Sequence, residues 1–274
     1  MPSKPKILAI VGATASGKTG LAVALAKQFN GEIVSADSRQ VYVGLDIGSG
    51  KEGTLKKIQM TNDKFQSKYP TIRYLDDTSQ WLVDIADPKE RFTVADWQAA
   101  AYEIIEDILS RGKLPIVVGG TGLYINALFE GYVFSDSVPR DENNPRHAAS
   151  TYQEKNPPAW DVLTLGIDIP REELYERIDQ RVDSRIEAGM IAEGERLLAE
   201  GVEADRLRKF GLEYRFVTDY IEHKIPKNEF AQSLKYAIHA YARRQLTWFR
   251  GHGDVVWVKN GDEAVVEVSK FLHE

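Results

Sequence analysis

The chain has 274 residues, 43% of them hydrophobic and 28% charged, enough for one α/β domain or for one domain with a helical appendage. It holds no cysteine, which excludes a disulfide scaffold, a cysteine nucleophile and a thiolate metal site, and fits a reducing cytoplasm. A formal net charge of −6 argues against a nucleic-acid partner unless basic residues gather locally, because phosphate binding is driven by a basic face.

In chain order, Ile7–Val11 predicts a buried first strand and not a signal peptide, since its apolar run stops at glycine without a cleavage site. A helix follows from Lys18 to about Phe29, with Leu21, Ala22, Leu25 and Ala26 on one face, then a second strand over Glu32–Ala36. Residues from Gly50 to Tyr74 are polar, lysine-rich and aperiodic, and are expected as a solvated excursion. Thr93-x-x-Asp96 predicts a capping box opening a helix that stops at Gly112, ahead of a short strand over Leu114–Val118 and the pair Gly119-Gly120. Phe134–Pro158, rich in Asn, Asp, Pro and Ser, reads as a loop, and Val162–Ile169 as a further strand.

The pattern then turns helical. Leu174, Ile178, Val182 and Ile186 form one stripe, and helices are expected over Ile191–Glu200, Leu212–Glu222 and Lys227–Phe249, with a last strand at Asp254–Val258 and a closing helix. Strands alternating with helices imply a mainly parallel sheet covered on both faces, with a helical C-terminal part. The expected divisions are residues 1–131 as the first half of the core, 132–161 as a linker, and 162–274 as core completion and C-terminal helices. No stretch approaches about 18 uninterrupted apolar residues, so no membrane partner is expected.

Gly12-Ala13-Thr14-Ala15-Ser16-Gly17-Lys18-Thr19 matches G-x-x-x-x-G-K-[ST] in full, after a strand and opening a helix. Its glycines let successive amides turn toward an anion at a positive helix end. Lys18 adds a point charge for the terminal phosphate, and Thr19 is the expected Mg²⁺ ligand. The motif identifies the group bound, not the reaction. Asp37 ends the second strand on the same sheet edge, where it could orient Mg²⁺ or act as a general base. On spacing alone it reads equally well as a turn or helix-capping aspartate.

GATASGKT, SADSRQVYVGLDIGSGK, Val117-Val118-Gly119-Gly120-Thr121-Gly122-Leu123-Tyr124 and Arg243-Arg244-Gln245-Leu246-Thr247-Trp248-Phe249-Arg250 together resemble the tRNA dimethylallyltransferase family. The helix containing Arg177, Arg181 and Val182 is similar to a fifth block. The resemblance implies transfer of a dimethylallyl group from dimethylallyl diphosphate to the exocyclic N6 amine of the adenosine beside the anticodon. The P-loop, residues 12–19, would then hold the diphosphate leaving group with Arg181 and Mg²⁺. Asp37 would be the base, and Ser38, Arg39, Gln40 and Thr121 would meet the tRNA and its target adenosine. The partners implied are the tRNA anticodon arm and dimethylallyl diphosphate, for a monomeric cytoplasmic enzyme.

Unabsorbed by those roles are two basic clusters, Arg206/Arg208/Lys209/Arg215 and Arg243/Arg244/Arg250, which are candidate tRNA backbone contacts. Trp248 and Phe249 read as core residues. The five histidines show no ligand spacing. Family members carry a longer helical insertion where residues 132–161 stand here; Arg140 and Arg146 lie in that gap but match no motif. Trp81-Leu82-Val83-Asp84-Ile85 also departs from the family's histidine-containing version. Prenyl transfer to free AMP or ADP, a P-loop small-molecule kinase and a non-catalytic RNA-binding relative are the alternatives.

Overall fold

A computed structural model of the chain describes residues 4–57, 68–134, 152–251 and 254–273. Arg140 and Arg146 lie outside them.

The first half alternates β1 (Lys6–Val11), α1 (Lys18–Gln28) and β2 (Gly31–Ser35) with the strands β3 (Thr54–Lys57), β4 (Thr71–Leu75) and β5 (Thr78–Trp81). Then come α2 (Val94–Ser110), β6 (Leu114–Gly119), α3 (Gly122–Phe129) and β7 (Tyr132–Phe134). The second half has β8 (Tyr152–Lys155), β9 (Asp161–Ile167), α4 (Arg171–Glu187), α5 (Met190–Ala199), α6 (Ala204–Lys209), α7 (Leu212–Ile221), α8 (Lys227–Arg250), β10 (Val255–Val258) and α9 (Gly261–His273).

The main sheet runs β10-β9-β1-β6-β2-β5-β4-β3, parallel from β10 to β5 and antiparallel at the β4 and β3 edge. β1 and β6 are central and almost wholly buried, as parallel strands covered on both faces must be. Alternation along β1 divides the core. Ile7 and Val11 join the layer with Trp97, Ile104 and Ile105 of α2, whereas Leu8 and Ile10 pack with Ala22 and Leu25 of α1 and Val268 of α9. A third cluster joins Leu174, Ile178 and Val182 of α4 to Val217 of α7, to Leu234 and Ile238 of α8, and to Ala13 of the glycine-rich loop. That contact seats the helical layer over the loop.

The Thr93 capping box forms as its spacing predicts: the Thr93 side chain accepts from the Asp96 amide, and Asp96 accepts from the Thr93 amide. Two stretches expected as loop contain strands. The excursion from Gly50 to Tyr74 includes β3 and most of β4. Every β3 residue is exposed, with Lys56 and Lys57 on the sheet edge, so no burial pattern marks it. Likewise β8 lies within the expected Phe134–Pro158 loop and pairs antiparallel with β7.

Candidate active site

The parallel strands β1, β2 and β6 end on one edge, and the segments leaving them enclose a cleft of about 430 Å³. From β1 comes the loop ahead of α1, in which Gly12, Ala15 and Gly17 all take positive φ, at 145°, 62° and 93°. Gly17 adopts its left-handed conformation at the N-cap of α1, and a non-glycine residue would be strained there. Ala15 carries that strain, as residues in ligand cradles do. This alternation makes the amide nest that receives anions.

Thr14, Ala15, Gly17, Lys18 and Thr19 line the cleft, whereas Gly12, Ala13 and Ser16 shape the turn beneath it. The Ser16 hydroxyl is buried without a hydrogen-bond partner among the described residues. Lys18 Nζ donates to the Ala13 carbonyl at 2.6 Å. Burial, followed by the charge of Arg181, lowers the Lys18 pKa to about 7.

From β2 comes Asp37, whose Oδ1 accepts from the Arg39 amide at 2.9 Å and lies 3.5 Å from Arg39 Nε. Burial pushes its carboxyl upward, but the Arg39 charge and hydrogen bonds outweigh that and hold it below the usual range. The turn geometry and the exposure to the cleft therefore coexist, so the two sequence readings of Asp37 do not exclude each other. Gln40 also lines the cleft; its Oε1 accepts from the Ser35 hydroxyl and its Nε2 donates to the Gly50 carbonyl. Ser38 does not line the cleft.

From β6 come Gly119, Gly120 and Thr121, all on the cleft wall. A Cβ on Gly120 would stand 2.5 Å from Gln245 Nε2, so the glycine there clears a close approach by α8. Gln245 was noted only as part of the terminal motif, yet it joins two of these segments. Its Oε1 accepts from the Thr14 amide at 2.9 Å and its Nε2 donates to the Gly120 carbonyl at 2.8 Å.

From the helical layer, Arg181 faces the cleft and Nη1 donates to the Thr14 hydroxyl at 3.2 Å. Two carboxylates that no sequence pattern marks organise the surroundings. Glu193 of α5 accepts from the amides of Asp46, Ile47 and Gly48 at 2.8, 2.8 and 2.9 Å, and from the Tyr214 hydroxyl at 2.8 Å. Glu213 of α7 receives Arg39 at 2.7 Å and Arg185 at 2.9 Å. Both acids are buried.

Part of the first basic cluster is held by partners within the chain. Arg206 donates to the carbonyls of Pro88 and Glu90, and Arg208 is paired with Asp205, Asp219 and Glu222. Arg206 and Arg208 are thus engaged within the chain, whereas Lys209 and Arg215 of the same cluster are exposed. Phe249 is buried as expected, but Trp248 is 46% exposed, its indole against Gly122 at the start of α3. Its assignment to the core is corrected.

Among the described residues no group of three or more His, Asp or Glu side chains could hold a metal, and no helix is long and apolar enough to cross a membrane.

A family model described as IPP transferase matches residues 64–151 and 142–252, and one described as isopentenyl transferase matches residues 5–69. The tRNA dimethylallyltransferase of Acetivibrio thermocellus is 33% identical, with 97% of this chain and 96% of that protein covered. That of Thermomicrobium roseum is 34% identical, with 94% and 87% covered. The crystal structure of the full-length tRNA isopentenylpyrophosphate transferase of Bacillus halodurans superposes with a TM-score of 0.78 at 31% identity, covering 98% of this chain and 96% of that one. The alignment to the A. thermocellus protein spans 319 positions against the 274 residues here, so that relative carries segments this chain lacks.

Proposed function

The chain belongs to the tRNA dimethylallyltransferase family, and from that membership we propose how its cleft carries a dimethylallyl group from dimethylallyl diphosphate to the N6 amine of the adenosine 3′-adjacent to the tRNA anticodon. The observation that carries the reading is the sharing of one cleft by the anion loop, Asp37 and Thr121.

The diphosphate lies on the loop amides, with Lys18 and Arg181 beside it. As its bond to carbon breaks, negative charge grows on the diphosphate, and these fixed donors are worth most at that moment. Depressed as its pKa is, Lys18 recovers a full positive charge when the anion arrives. Asp37, kept ionised by Arg39, takes the proton that the attacking adenine amine loses. Thr121 borders the space where the amine enters. An adenine can reach this enclosed carboxylate only after leaving its stack.

Magnesium fits the residues present. The Thr19 hydroxyl is a hard oxygen on the cleft, and Mg²⁺ takes one or two protein oxygens while phosphate and water complete its shell. Bound there, the ion supplies additional neutralisation of the leaving diphosphate. A monomeric cytoplasmic protein belongs to the same proposal.

The test is incubation of the protein and Mg²⁺ with labelled dimethylallyl diphosphate and either unmodified tRNA or AMP. Label should enter the tRNA. Label in AMP alone would replace this reading with an adenylate prenyltransferase.

A further inference from the structure

The cleft end beside α4 holds more positive charge than its buried acids balance. Lys18, Arg39, Arg181 and Arg185 gather there, facing the carboxylates of Asp37 and Glu213; Glu52 lies on the rim and is exposed. Arg185 is the deepest of the four and 9% exposed. Its Nη1 is fixed by Glu213 at 2.9 Å and by the Gly48 carbonyl at 3.1 Å, while its Nη2 is buried with no hydrogen-bond partner among the described residues.

That free nitrogen points toward the cleft wall. A Cβ on Gly50, a residue lining the cleft, would stand 1.7 Å from Arg185 Nη2 and 2.4 Å from Arg181 Nη2. Two guanidinium ends therefore converge behind a single glycine, which also sits at φ +68°. Like charges so placed repel unless an anion joins them. Consistent with that crowding, burial and then Arg185 lower the Arg181 pKa to about 10.

We propose that the buried Arg185–Glu213 pair sets the charge of the diphosphate cleft, Arg185 attracting the diphosphate from behind Arg181 and Glu213 moderating that attraction. The proposal rests on the diphosphate reading above. Neither residue touches the substrate in this account; both are positioning residues that act through Arg181, Arg39 and the local field. Because field effects carry a sign, removing the two partners should move affinity in opposite directions, which a purely structural pair would not do.

The measurement is calorimetric titration of inorganic diphosphate, with Mg²⁺, into the full chain and its variants, alongside thermal melts. Arg185→Met should weaken binding by about tenfold. Arg185→Lys, which keeps the charge and loses the fork, should stay within about threefold. Glu213→Gln should bind diphosphate several-fold more tightly, and the double variant should return near the wild-type value. Arg39 still pairs with Asp37 in that variant.

Equal affinity in Arg185→Met and the wild type would overturn the proposal, as would weaker binding by Glu213→Gln that tracks a loss of melting temperature. If Arg185→Met does not fold, the direction of the Glu213→Gln change decides alone. A wild-type protein that binds no diphosphate would instead overturn the reading on which this proposal stands.

Discussion

Asp37 shows how one turn can serve structure and chemistry together. Its Oδ1 faces both the Arg39 amide and the Arg39 guanidinium, so the carboxylate is oriented and kept ionised by a neighbour two residues away. Arg39 is itself tethered to Glu213, which prevents the guanidinium from swinging across the cleft. Replacing Asp37 by Ala removes the proposed base and leaves the loop amides, Lys18 and Arg181 in place. Transfer to tRNA should fall by about 10²- to 10⁴-fold, the range for a positioned base, while inorganic diphosphate still binds within a few-fold of wild type. Loss of both would show that Asp37 serves the metal. Lys18, Thr19 and Asp37 are legible because their spacing is tied to strand ends, and Thr121 only through the family resemblance. Arg185, Glu193 and Glu213 are not, since charged residues on helices ordinarily read as solvated and only the packing of α4, α5 and α7 turns them inward.

Among the elements, β2 is anchored at its start by Glu32, which is 3% exposed. Its Oε2 accepts from Trp81 Nε1 of β5 at 2.7 Å and from Arg111 at 2.8 Å, and its Oε1 accepts from Lys113 at 2.7 Å. One carboxylate thus joins β2, β5 and the α2–β6 connection, fixing the strand whose other end presents Asp37. Burial alone would raise the Glu32 pKa, but the hydrogen bonds from Arg111, Lys113 and Trp81 bring it to about 2, below the free value of 4.5. A depressed carboxylate stabilises the fold in full above pH 4.5 and loses that contribution as pH falls from 4.5 toward 2. With solvent reaching Arg111 and Lys113, the contribution is about 1–2 kcal/mol. Glu32→Gln should therefore lower the urea midpoint at pH 7, and the gap to wild type should narrow between pH 4.5 and 3. A gap that stays constant with pH would mean that packing, not charge, is what Glu32 supplies. Elements with an apolar period, such as α2, α4 and α8, were readable from the sequence. β3 was not, because a fully exposed edge strand has no burial pattern to display, and β8 becomes a strand only through its pairing with β7.

At the scale of the whole molecule, a chain of net charge −6 has to hold a polyanion, so what matters is which cations remain available. Arg208 is surrounded by three carboxylates and Arg206 is spent on backbone carbonyls, which leaves the exposed Lys209 and Arg215 as the remaining cations of the first basic cluster. The outer face of α8 differs. Arg243 and Arg244 are exposed there, engaged by the neutral partners Tyr175 and the ring of Tyr241 and leaving their charge uncompensated, with Trp248 exposed one turn further on. Tyr241 and Gln245 of the same helix line the cleft, so an RNA strand lying along α8 would be led toward Asp37. Contacts of this kind release counterions, and each one lost reduces the slope of log affinity against log salt by about 0.7–0.9. The double variant Arg243→Ala/Arg244→Ala should raise the KM for tRNA, flatten its salt dependence by one to two such steps, and leave the KM for dimethylallyl diphosphate unchanged. Arg208→Ala should do the reverse, lowering thermal stability by leaving Asp205 and Asp219 without this cation, Glu222 keeping Lys224, while tRNA affinity holds. An unchanged salt slope in the α8 double variant would place the RNA on another face.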